Sequence, residues 1–510
     1  MLKNTKKYLI LLLIAVLLLM TVLYQIKLKG EQENIVLSMI VIGTTILMTI
    51  ISIFICKEKN FDEMIAFRLI IPIITILFVT AMPIFRSHDE DAHWLRIYDI
   101  SIGNFLTKTE YGSLFQEGAQ NYPAAKLPKA VSVVLDKSYA GVSTSEIFDI
   151  KIDEEDTVIY AMPTTAIYSP IQYLPQAAGV FIARIFTNRP IVMAYAARIM
   201  NILVSFTALY FAMKFMPFGK KILLVLMSIP IALEGFSSLS PDGMTISISF
   251  LFIAYILHLV FDKKDEKIKF KQSLLIAFLG VVLALCKIVY LPIVGLVMLL
   301  PKEKFKSRKR QVLHIAILIL IAIIANLVWL GISSTYLAEY KEGRPVDQLG
   351  TLLKDPLNYI EMLIYSIDSN GSKYFLSTLG GEAGLNEYVN MHTFVPIMFF
   401  ILCILATFGA KEKHPKLSIY QTTIMVLIVL AVVGLIFTSL YIQWTKTESE
   451  SIMGVQGRYF IPVLPLLLLL LSQLNIKIDY PEMKTIKLIT TGILMIQIYV
   501  IPIVFCIRYV

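Results

Sequence analysis

The chain has 510 residues, of which 57% are apolar and only 16% are charged, and its mean hydropathy is +0.73. A water-soluble domain carries roughly 25% charged residues, so this composition excludes a soluble enzyme, a disordered tail protein and a coiled coil, and it leaves a polytopic membrane protein. The formal charge of +9 is compatible with nucleic acid, anionic lipid or membrane topology, and the positions of the charged residues decide among them.

The N-terminal segment combines Lys3, Lys6 and Lys7 with an apolar run from Tyr8 to about Leu23. This pattern is typical of a signal sequence, and because no small-x-small cleavage site follows, we interpret the run as an uncleaved signal anchor. Twelve further apolar runs follow, at 35–56, 67–85, 190–213, 221–236, 243–261, 272–286, 288–300, 311–332, 393–410, 418–441, 458–474 and 486–507. Several are shorter than the ~20 residues that a straight helix needs to cross a bilayer. Together the runs predict an all-α polytopic membrane protein of about 13 spans.

The distribution of Lys and Arg predicts the topology, because cytoplasmic loops retain an excess of basic residues. With a cytoplasmic N-terminus and 13 spans, the inside segments hold 26 basic residues against 10 acidic ones. These segments are 1–7, 57–68, 214–221, 262–271, 302–310, 411–416 and 475–487. The positive charge is therefore a topology signal, and no nucleic-acid partner is expected. We expect a multi-pass protein of the cell membrane.

Two long loops, residues 86–168 and 333–392, fall outside on this topology, and loops of such length usually carry function or a substructure of their own. The apolar segment 170–187 is long enough to cross, but a crossing there would put the later basic loops outside. We therefore place it as a re-entrant or interfacial helix on the outer face. The predicted organisation is a signal anchor and second span at 1–66, a main membrane module at 67–475 and a C-terminal span at 476–510.

The densest polar cluster follows the third apolar run, at residues 86–99. In a helix, Asp89 and His93 would lie four residues apart on one face, with Arg96 one turn further along. A carboxylate at the membrane surface, flanked by His and Arg, can act as a general base. The alternative is that these groups only end a helix at the level of the lipid headgroups.

The same cluster raises the question of a metal site. A zinc-protease motif does not fit, because His88 and His93 are five residues apart and that motif needs a separation of four. Binding of a divalent cation by Asp89, Glu90 and Asp91 remains as an alternative.

Three isolated charged residues lie at the ends of other apolar runs. Asp242 sits in an outer turn, where its alternative role is helix capping. Lys287 interrupts a long apolar stretch, where snorkelling to the interface is the alternative. Arg458 follows Gly454 and Gly457, which would let the backbone approach a ligand, and its planar fork suits phosphate; an interfacial anchor is the alternative.

The predicted topology places all these candidates on one side of the membrane. The acidic cluster, Asp242, Lys287 and Arg458 all fall at the outer face, although the topology was derived from Lys and Arg counts alone. We therefore predict one shared extracytoplasmic site.

Residues 88–101, His-Asp-Glu-Asp-Ala-His-Trp-Leu-Arg-Ile-Tyr-Asp-Ile-Ser, resemble a block of a bacterial multipass family that is catalogued as a domain of unknown function and grouped with the GT-C glycosyltransferases. Further blocks at 168–175, 238–242, 287–292 and 455–462 match the pattern of that family in the same order. Two departures are visible. His88 stands where the family usually has Pro, and the segment 380–385 lacks an expected Trp.

The resemblance implies a GT-C-like helical bundle in which 67–475 is the catalytic module. It implies a donor sugar carried on a polyprenyl phosphate, which can reach an outward-facing site through the bilayer. Asp89 would be the catalytic base, with Glu90 assisting it or binding a metal, and Lys287 and Arg458 would bind the donor phosphate. Supporting or substrate-binding roles fall to His93, Arg96, Ser240, Asp242, Gln456 and Tyr459.

The expected function is transfer of a sugar to an extracytoplasmic cell-envelope polymer or glycolipid, with no certain cofactor apart from that lipid-linked co-substrate. One alternative is a transporter or flippase for a lipid-linked saccharide. Transporters tend to have ionisable residues near the bilayer midplane and repeated halves, and neither is evident in this sequence. Another alternative is a non-catalytic scaffold of an envelope-polysaccharide complex.

Overall fold

The structure is a computed structural model that describes residues 12–18, 20, 35–111, 121–139, 144–162, 164–262, 266–336, 345–384, 389–409, 415–446, 449–474, 476, 478 and 481–506. Residues 8–11, 19 and 21–23 of the predicted signal anchor therefore lie outside the described residues.

Helices dominate the described chain. In order they are α1 (Ile35–Lys57), α2 (Glu63–Ala81), α3 (Glu90–Ser101), α4 (Ala130–Tyr139), α5 (Thr144–Phe148), α6 (Leu174–Arg184), α7 (Pro190–Phe215), α8 (Lys220–Met227), α9 (Pro230–Ser237), α10 (Asp242–Phe261), α11 (Phe270–Cys286), α12 (Arg308–Ser333), α13 (Pro345–Lys354), α14 (Pro356–Thr378), α15 (Phe394–Phe408), α16 (Ile419–Gln443), α17 (Leu464–Leu471) and α18 (Glu482–Phe505). The 3-10 helices are Pro170–Tyr173, Ile288–Leu299, Lys302–Lys304, Ser334–Tyr336 and Gly457–Val463.

Seven of these helices are long and apolar enough to cross a membrane, namely α1, α2, α7, α10, α12, α16 and α18. Four shorter apolar segments join them, at Phe270–Cys286, Ile288–Leu299, Phe394–Phe408 and Gly457–Leu471. The prediction of a polytopic helical membrane protein is confirmed in this form. The count of 13 spans stays a prediction.

The apolar run 221–236, which we predicted as one span, consists of two short helices instead. The break falls at Pro230, which has no backbone N–H to continue α8 and whose ring pushes the preceding residue out of the helical region. Ile229 accordingly adopts extended dihedral angles, with φ −63° and ψ 135°. Proline also interrupts the run that begins at Arg458, where a 3-10 helix containing Pro462 precedes α17.

The centre of the bundle is formed by α10 and α18, whose most apolar windows are 83% and 89% buried. The C-terminal span is therefore a core element that packs along α1, α2 and α15. By contrast, the window of α12 is only 17% buried, and its exposed residues include Leu313, Leu320 and Leu327. An exposed apolar helix of this kind fits a surface that contacts lipid.

Several loops that we predicted to be cytoplasmic contact one another at one end of the bundle. Lys221 forms an ion pair with Glu63 at 3.2 Å. Lys487 donates to the carbonyl of Glu58. Lys267 donates to the carbonyl of Glu303 at 2.7 Å. These contacts join residues 57–68 to 214–221 and 475–487, and residues 262–271 to 302–310, while the topology itself stays a prediction.

The first long loop contains a small β-sheet, which the all-α prediction did not include. Strands β1 (Lys108–Tyr111), β2 (Asn121–Pro128) and β3 (Thr157–Ala161) pair antiparallel in that order. Lys108 is opposite Ala124, and Leu127 is opposite Val158. The expectation that this loop has a substructure is confirmed. In the second long loop, α13 and α14 precede a two-stranded ribbon of β4 (Glu382–Ala383) and β5 (Val389–Asn390).

The ambiguous segment 170–187 forms a 3-10 turn followed by α6, which has 11 residues. At 1.5 Å per residue such a helix is about 16 Å long, too short to cross a bilayer of ~30 Å by itself. It packs instead against α7 and α3. Gly179 makes this contact close, because a Cβ there would lie 2.5 Å from the carbonyl oxygen of Ala196.

We expect Gly179→Val to lower stability, because its side chain would force α6 away from α7, and overpacking of this kind costs about 1–3 kcal/mol. The measurement is the melting temperature of the purified full-length protein in detergent. Gly331→Val in α12 is the matched control, since a Cβ at Gly331 meets no atom within 4 Å. Equal losses in both variants would contradict the proposed close contact.

Candidate active site

The turn between α2 and α3 determines the direction of Asp89. Two residues that are not glycine have left-handed dihedral angles in this turn, Phe85 with φ 63° and Asp89 with φ 54°. This region is unfavourable for most side chains, although Asp tolerates it better than others. Asp89 directly precedes α3, and its carbonyl accepts a hydrogen bond from the N–H of His93 at 3.0 Å, but its side chain makes no capping hydrogen bond. Its side chain is 56% exposed and accepts a hydrogen bond of 2.5 Å from Nη2 of Arg458.

Four charged side chains form a continuous cluster. Arg458 contacts Asp89 through Nη2 and Asp242 through Nη1, the latter at 3.3 Å. The other oxygen of Asp242 accepts a hydrogen bond from Nζ of Lys287 at 3.1 Å. The sequence-predicted candidates Asp89, Asp242, Lys287 and Arg458 are therefore brought together, as the hypothesis of one shared site required.

Each member of the cluster comes from a different break between helices. Asp242 begins α10, where the positive end of the helix dipole favours a carboxylate. Lys287 has extended dihedral angles, with φ −153° and ψ 134°, and separates α11 from the 3-10 helix Ile288–Leu299. Arg458 lies in the 3-10 helix Gly457–Val463. Breaks in the helices thus allow charged groups to converge in an otherwise apolar bundle.

The glycines near Arg458 have a different role from the predicted one. We expected them to let a ligand approach the backbone, but protein atoms fill that space. A Cβ at Gly457 would lie 2.1 Å from the backbone nitrogen of Thr378, and a Cβ at Gly454 would lie 2.1 Å from Cδ1 of Trp444. Gly454 also has φ +79°, which favours glycine. These residues therefore position the segment against α14 and the end of α16.

A cavity of about 210 Å³, which we call the main cavity, opens beside the cluster. Charged and imidazole side chains line part of its wall, namely Asp89, His93, Asp242, Lys287 and Arg458, and aromatic side chains line another part, namely Tyr168, Trp444 and Tyr459. A second cavity of about 170 Å³, the side cavity, shares Tyr168, Lys287 and Tyr459 with it. The side cavity continues between α11, α12 and α16 along Leu285, Trp329, Leu330 and Ile436. The main cavity, with its charged side chains, therefore adjoins the mainly apolar side cavity.

His93 faces the main cavity as a neutral group at pH 7. Burial lowers the pKa of His93 to about 4, against the opposing effect of the carboxylates of Asp89 and Asp242. Its Nδ1 lies 2.8 Å from the hydroxyl of Tyr173. Burial raises the pKa of Asp89, but the charge and hydrogen bond of Arg458 outweigh burial and hold that pKa below its ordinary value. The carboxylate of Asp89 is therefore ionised at neutral pH.

Three of the predicted supporting residues contact the charged cluster. The hydroxyl of Ser240 accepts a hydrogen bond from the backbone N–H of Asp242 at 3.2 Å. Oε1 of Gln456 accepts one from Nε of Arg458 at 2.7 Å. The ring of Tyr459 has its centroid 4.7 Å from Nζ of Lys287, within the range of a cation–π contact. The contact of Ser240 is to Asp242, whereas Gln456 and Tyr459 contact the two cations, Arg458 and Lys287.

Four predicted site residues do not line the main cavity, namely Glu90, Asp91, Arg96 and Ser240. Glu90 is fully buried, and its carboxylate accepts hydrogen bonds from Arg198 at 2.7 and 2.6 Å and from the backbone N–H of Leu239 at 2.9 Å. Arg96 is also buried and pairs with Asp99 at 2.6 Å, while it donates to the carbonyl of Phe105. The contacts of Glu90 and Arg96 are structural ones within the protein.

The described residues contain no group of three or more His, Cys, Asp or Glu side chains arranged to hold a metal ion. Among Asp89, Glu90 and Asp91, the carboxylate of Glu90 is already taken by Arg198. Asp89, Glu90 and Asp91 therefore do not form a shared donor set in the described residues.

Two residues of this region were not singled out from the sequence. Arg198 holds Glu90 and also donates to the carbonyls of Met82 and Pro83, each at 2.9 Å. Glu234 accepts hydrogen bonds from the backbone N–H of His88 at 2.9 Å and from the backbone N–H of Gly384 at 3.1 Å. Both interrupt apolar runs, and a charged residue inside such a run is itself a signal of a buried polar partner.

We expect Arg198→Met to destabilise the protein strongly, by about 3–5 kcal/mol, because it leaves the carboxylate of Glu90 buried without its counter-charge. The measurement is again the melting temperature of the purified protein. Arg184→Met is the control: its pair with Glu154 is 3.4 Å long and solvent-screened, so we expect little change. An unchanged melting temperature in Arg198→Met would contradict the structural role of the pair.

A family model described as Predicted membrane protein (DUF2142) matches residues 73–467, a range that contains all the predicted site residues. Comparisons with curated proteins and with solved structures gave no match. Because the family model covers well over half of the chain, the protein belongs to the family of predicted membrane proteins DUF2142.

Proposed function

We propose that the protein is an integral membrane glycosyltransferase of GT-C type, which moves a sugar from a polyprenyl-phosphate donor to an extracytoplasmic cell-envelope polymer or glycolipid. One observation carries the proposal. An exposed carboxylate, Asp89, and two cations, Lys287 and Arg458, line one cavity that adjoins a mainly apolar cavity between membrane helices. A lipid-linked sugar phosphate combines the same elements: an apolar chain, an anion and a reacting carbon next to that anion.

The donor would bind with its phosphate between Lys287 and Arg458 and with the first part of its lipid chain in the side cavity. Each terminal nitrogen of Arg458 contacts one carboxylate and carries a second N–H that can donate to a phosphate oxygen, and Lys287 supplies a point charge. Lys287 lies at the junction of the two cavities, because it lines both of them. The phosphate would therefore be held where the charged wall meets the apolar one.

In the reaction, a hydroxyl oxygen of the acceptor attacks the anomeric carbon, and the bond from that carbon to the phosphate oxygen breaks. The proton of the hydroxyl passes to the carboxylate of Asp89, and the electron pair of the broken bond stays on the departing lipid phosphate. Negative charge thus moves from Asp89 to the phosphate. Arg458 is placed to contact both groups, so it can stabilise the charge before and after the transfer.

The residues around Asp89 would act by positioning it. His93 faces the cavity as a neutral group, and Asp242 holds the two cations at their present spacing through contacts of 3.1 and 3.3 Å. Glu90 would support the reaction indirectly, because its pair with Arg198 fixes the start of α3 directly after Asp89.

We expect Asp89→Asn to reduce transfer at least about 100-fold, because an amide cannot accept the proton, and a general base contributes about 10²–10⁴-fold. The assay is release of lipid phosphate from a labelled polyprenyl-phosphate sugar by the purified protein. Asp136→Asn, at an exposed position of α4, is the control and should retain activity. Full transfer by a well-folded Asp89→Asn protein would exclude Asp89 as the base.

The same assay separates the proposal from its alternatives. Movement of the labelled lipid across a bilayer without cleavage would indicate a flippase, and neither movement nor cleavage would favour a scaffold. Release of lipid phosphate that depends on an acceptor would support the transferase.

The pH dependence of kcat/KM provides an independent check. Since the pKa of Asp89 is held below its ordinary value and that of His93 is lowered to about 4, both groups keep their working forms at neutral pH. We expect kcat/KM to stay constant from neutral pH downward and to fall only as the pH approaches 4, where His93 gains a proton, while Asp89, whose pKa is below its ordinary value, stays ionised to lower pH. A fall centred near the ordinary histidine pKa of about 6.5 would contradict this assignment.

A further inference from the structure

Part of the wall of the main cavity is polar but uncharged. It consists of Thr164, Thr165 and Trp444, which line the main cavity but not the side cavity, together with Gln443, which lines both. We propose that this wall binds the acceptor as a carbohydrate, with the indole of Trp444 against the C–H face of a sugar ring and the hydroxyl of Thr165 hydrogen-bonded to a sugar hydroxyl. The inference rests on the proposed function, because the acceptor of that transfer is what the wall would bind.

Trp444 is an exposed aromatic ring in a fixed position. It is 46% exposed, although it lines the cavity and follows the last residue of α16. Its backbone N–H bonds to the carbonyl of Leu440 at 2.9 Å, and its ring lies against the backbone of Gly454, where no Cβ fits. A preordered aromatic face loses little conformational entropy when a ligand packs on it.

Thr165 provides the second, independent observation. Its side chain is buried, at 2% exposure, and within the described residues its hydroxyl has no hydrogen-bond partner. A buried hydroxyl without a partner is unfavourable, and this one belongs to a residue that lines the main cavity. The oxygen has essentially no accessible surface in this conformation, so a ligand hydroxyl in the cavity would satisfy it once the side chain of Thr165 rotates toward the cavity.

The chemistry of the wall selects a class of ligand. A pyranose ring has an apolar face of C–H bonds and a rim of hydroxyls, so it needs an aromatic surface together with neutral hydrogen-bonding groups. Thr164, Thr165 and Gln443 supply such groups beside Trp444. This part of the wall carries no cation to pair with an anionic acceptor, because the cations Lys287 and Arg458 lie on the charged wall, where the donor phosphate would bind. The uncharged wall therefore fits a neutral sugar.

An interfacial tryptophan offers a different explanation, since Trp is common where a span leaves the membrane. This explanation accounts for Trp444 but not for the unpaired hydroxyl of Thr165 in the same cavity. It also predicts that replacement of Trp444 affects stability alone, whereas a sugar site predicts loss of binding.

The test uses methyl glycosides of glucose, galactose and N-acetylglucosamine and the full-length protein in nanodiscs. Saturation-transfer difference NMR measures their binding. We expect Trp444→Ala to weaken binding by about tenfold or more, and Trp444→Phe to retain most of it. Thr165→Val, which keeps the shape but removes the hydroxyl, should weaken binding several-fold. Thr75→Val is the matched control, because Thr75 is also buried with an unpaired hydroxyl but lies in α2, outside the main cavity.

Release of lipid phosphate, measured on the same preparations, separates this inference from the proposed function. The proposed carbohydrate site is wrong if the wild type consumes the donor but binds no glycoside. It is also wrong if Trp444→Ala and Thr165→Val bind glycosides as well as Thr75→Val does. In both cases the transferase proposal stands. If binding depends on Trp444 and Thr165 while the wild type does not consume the donor, the carbohydrate site stands and the transferase proposal is wrong.

Discussion

The geometry of the site depends on the contact between Arg198 and Glu90. Arg198 reaches from α7 to the carbonyls at the end of α2 and to Glu90 at the start of α3, and Glu90 in turn accepts the N–H of Leu239 before α10. One ion pair therefore joins four helices. Because both side chains are fully buried, the pair has little solvent screening and must be formed for the helices to meet in this way.

The ion pair of Arg198 and Glu90 explains how Asp89 can have an unfavourable backbone conformation. A left-handed residue persists when the structure on both sides determines it, and here the chain is held by Arg198 before the turn and after it. Glu234 adds a further contact at His88. The carboxylate of Asp89 is therefore exposed while the backbone on both sides of it is held in place, whereas the next residue, Glu90, is buried.

The sequence predicted the membrane class and the set Asp89, Asp242, Lys287 and Arg458, because charged residues are rare enough in apolar runs to be read individually. It singled out Asp89 by its spacing from His93 but could not predict that Glu90 is buried, since adjacent acidic residues differ only in the direction that the turn gives them. Nor could it reveal the β-sheet or the partner of Glu90, because both depend on contacts between segments far apart in the chain.

The 3-10 geometry of Ile288–Leu299 affects how deeply Lys287 lies in the membrane. Twelve residues rise about 24 Å in a 3-10 helix but only about 18 Å in an α-helix, so the tighter winding extends the segment by about 6 Å. Lys287 immediately precedes it. A short apolar sequence can therefore hold a cation near the far end of the bundle, and its winding, as well as its length, sets that depth.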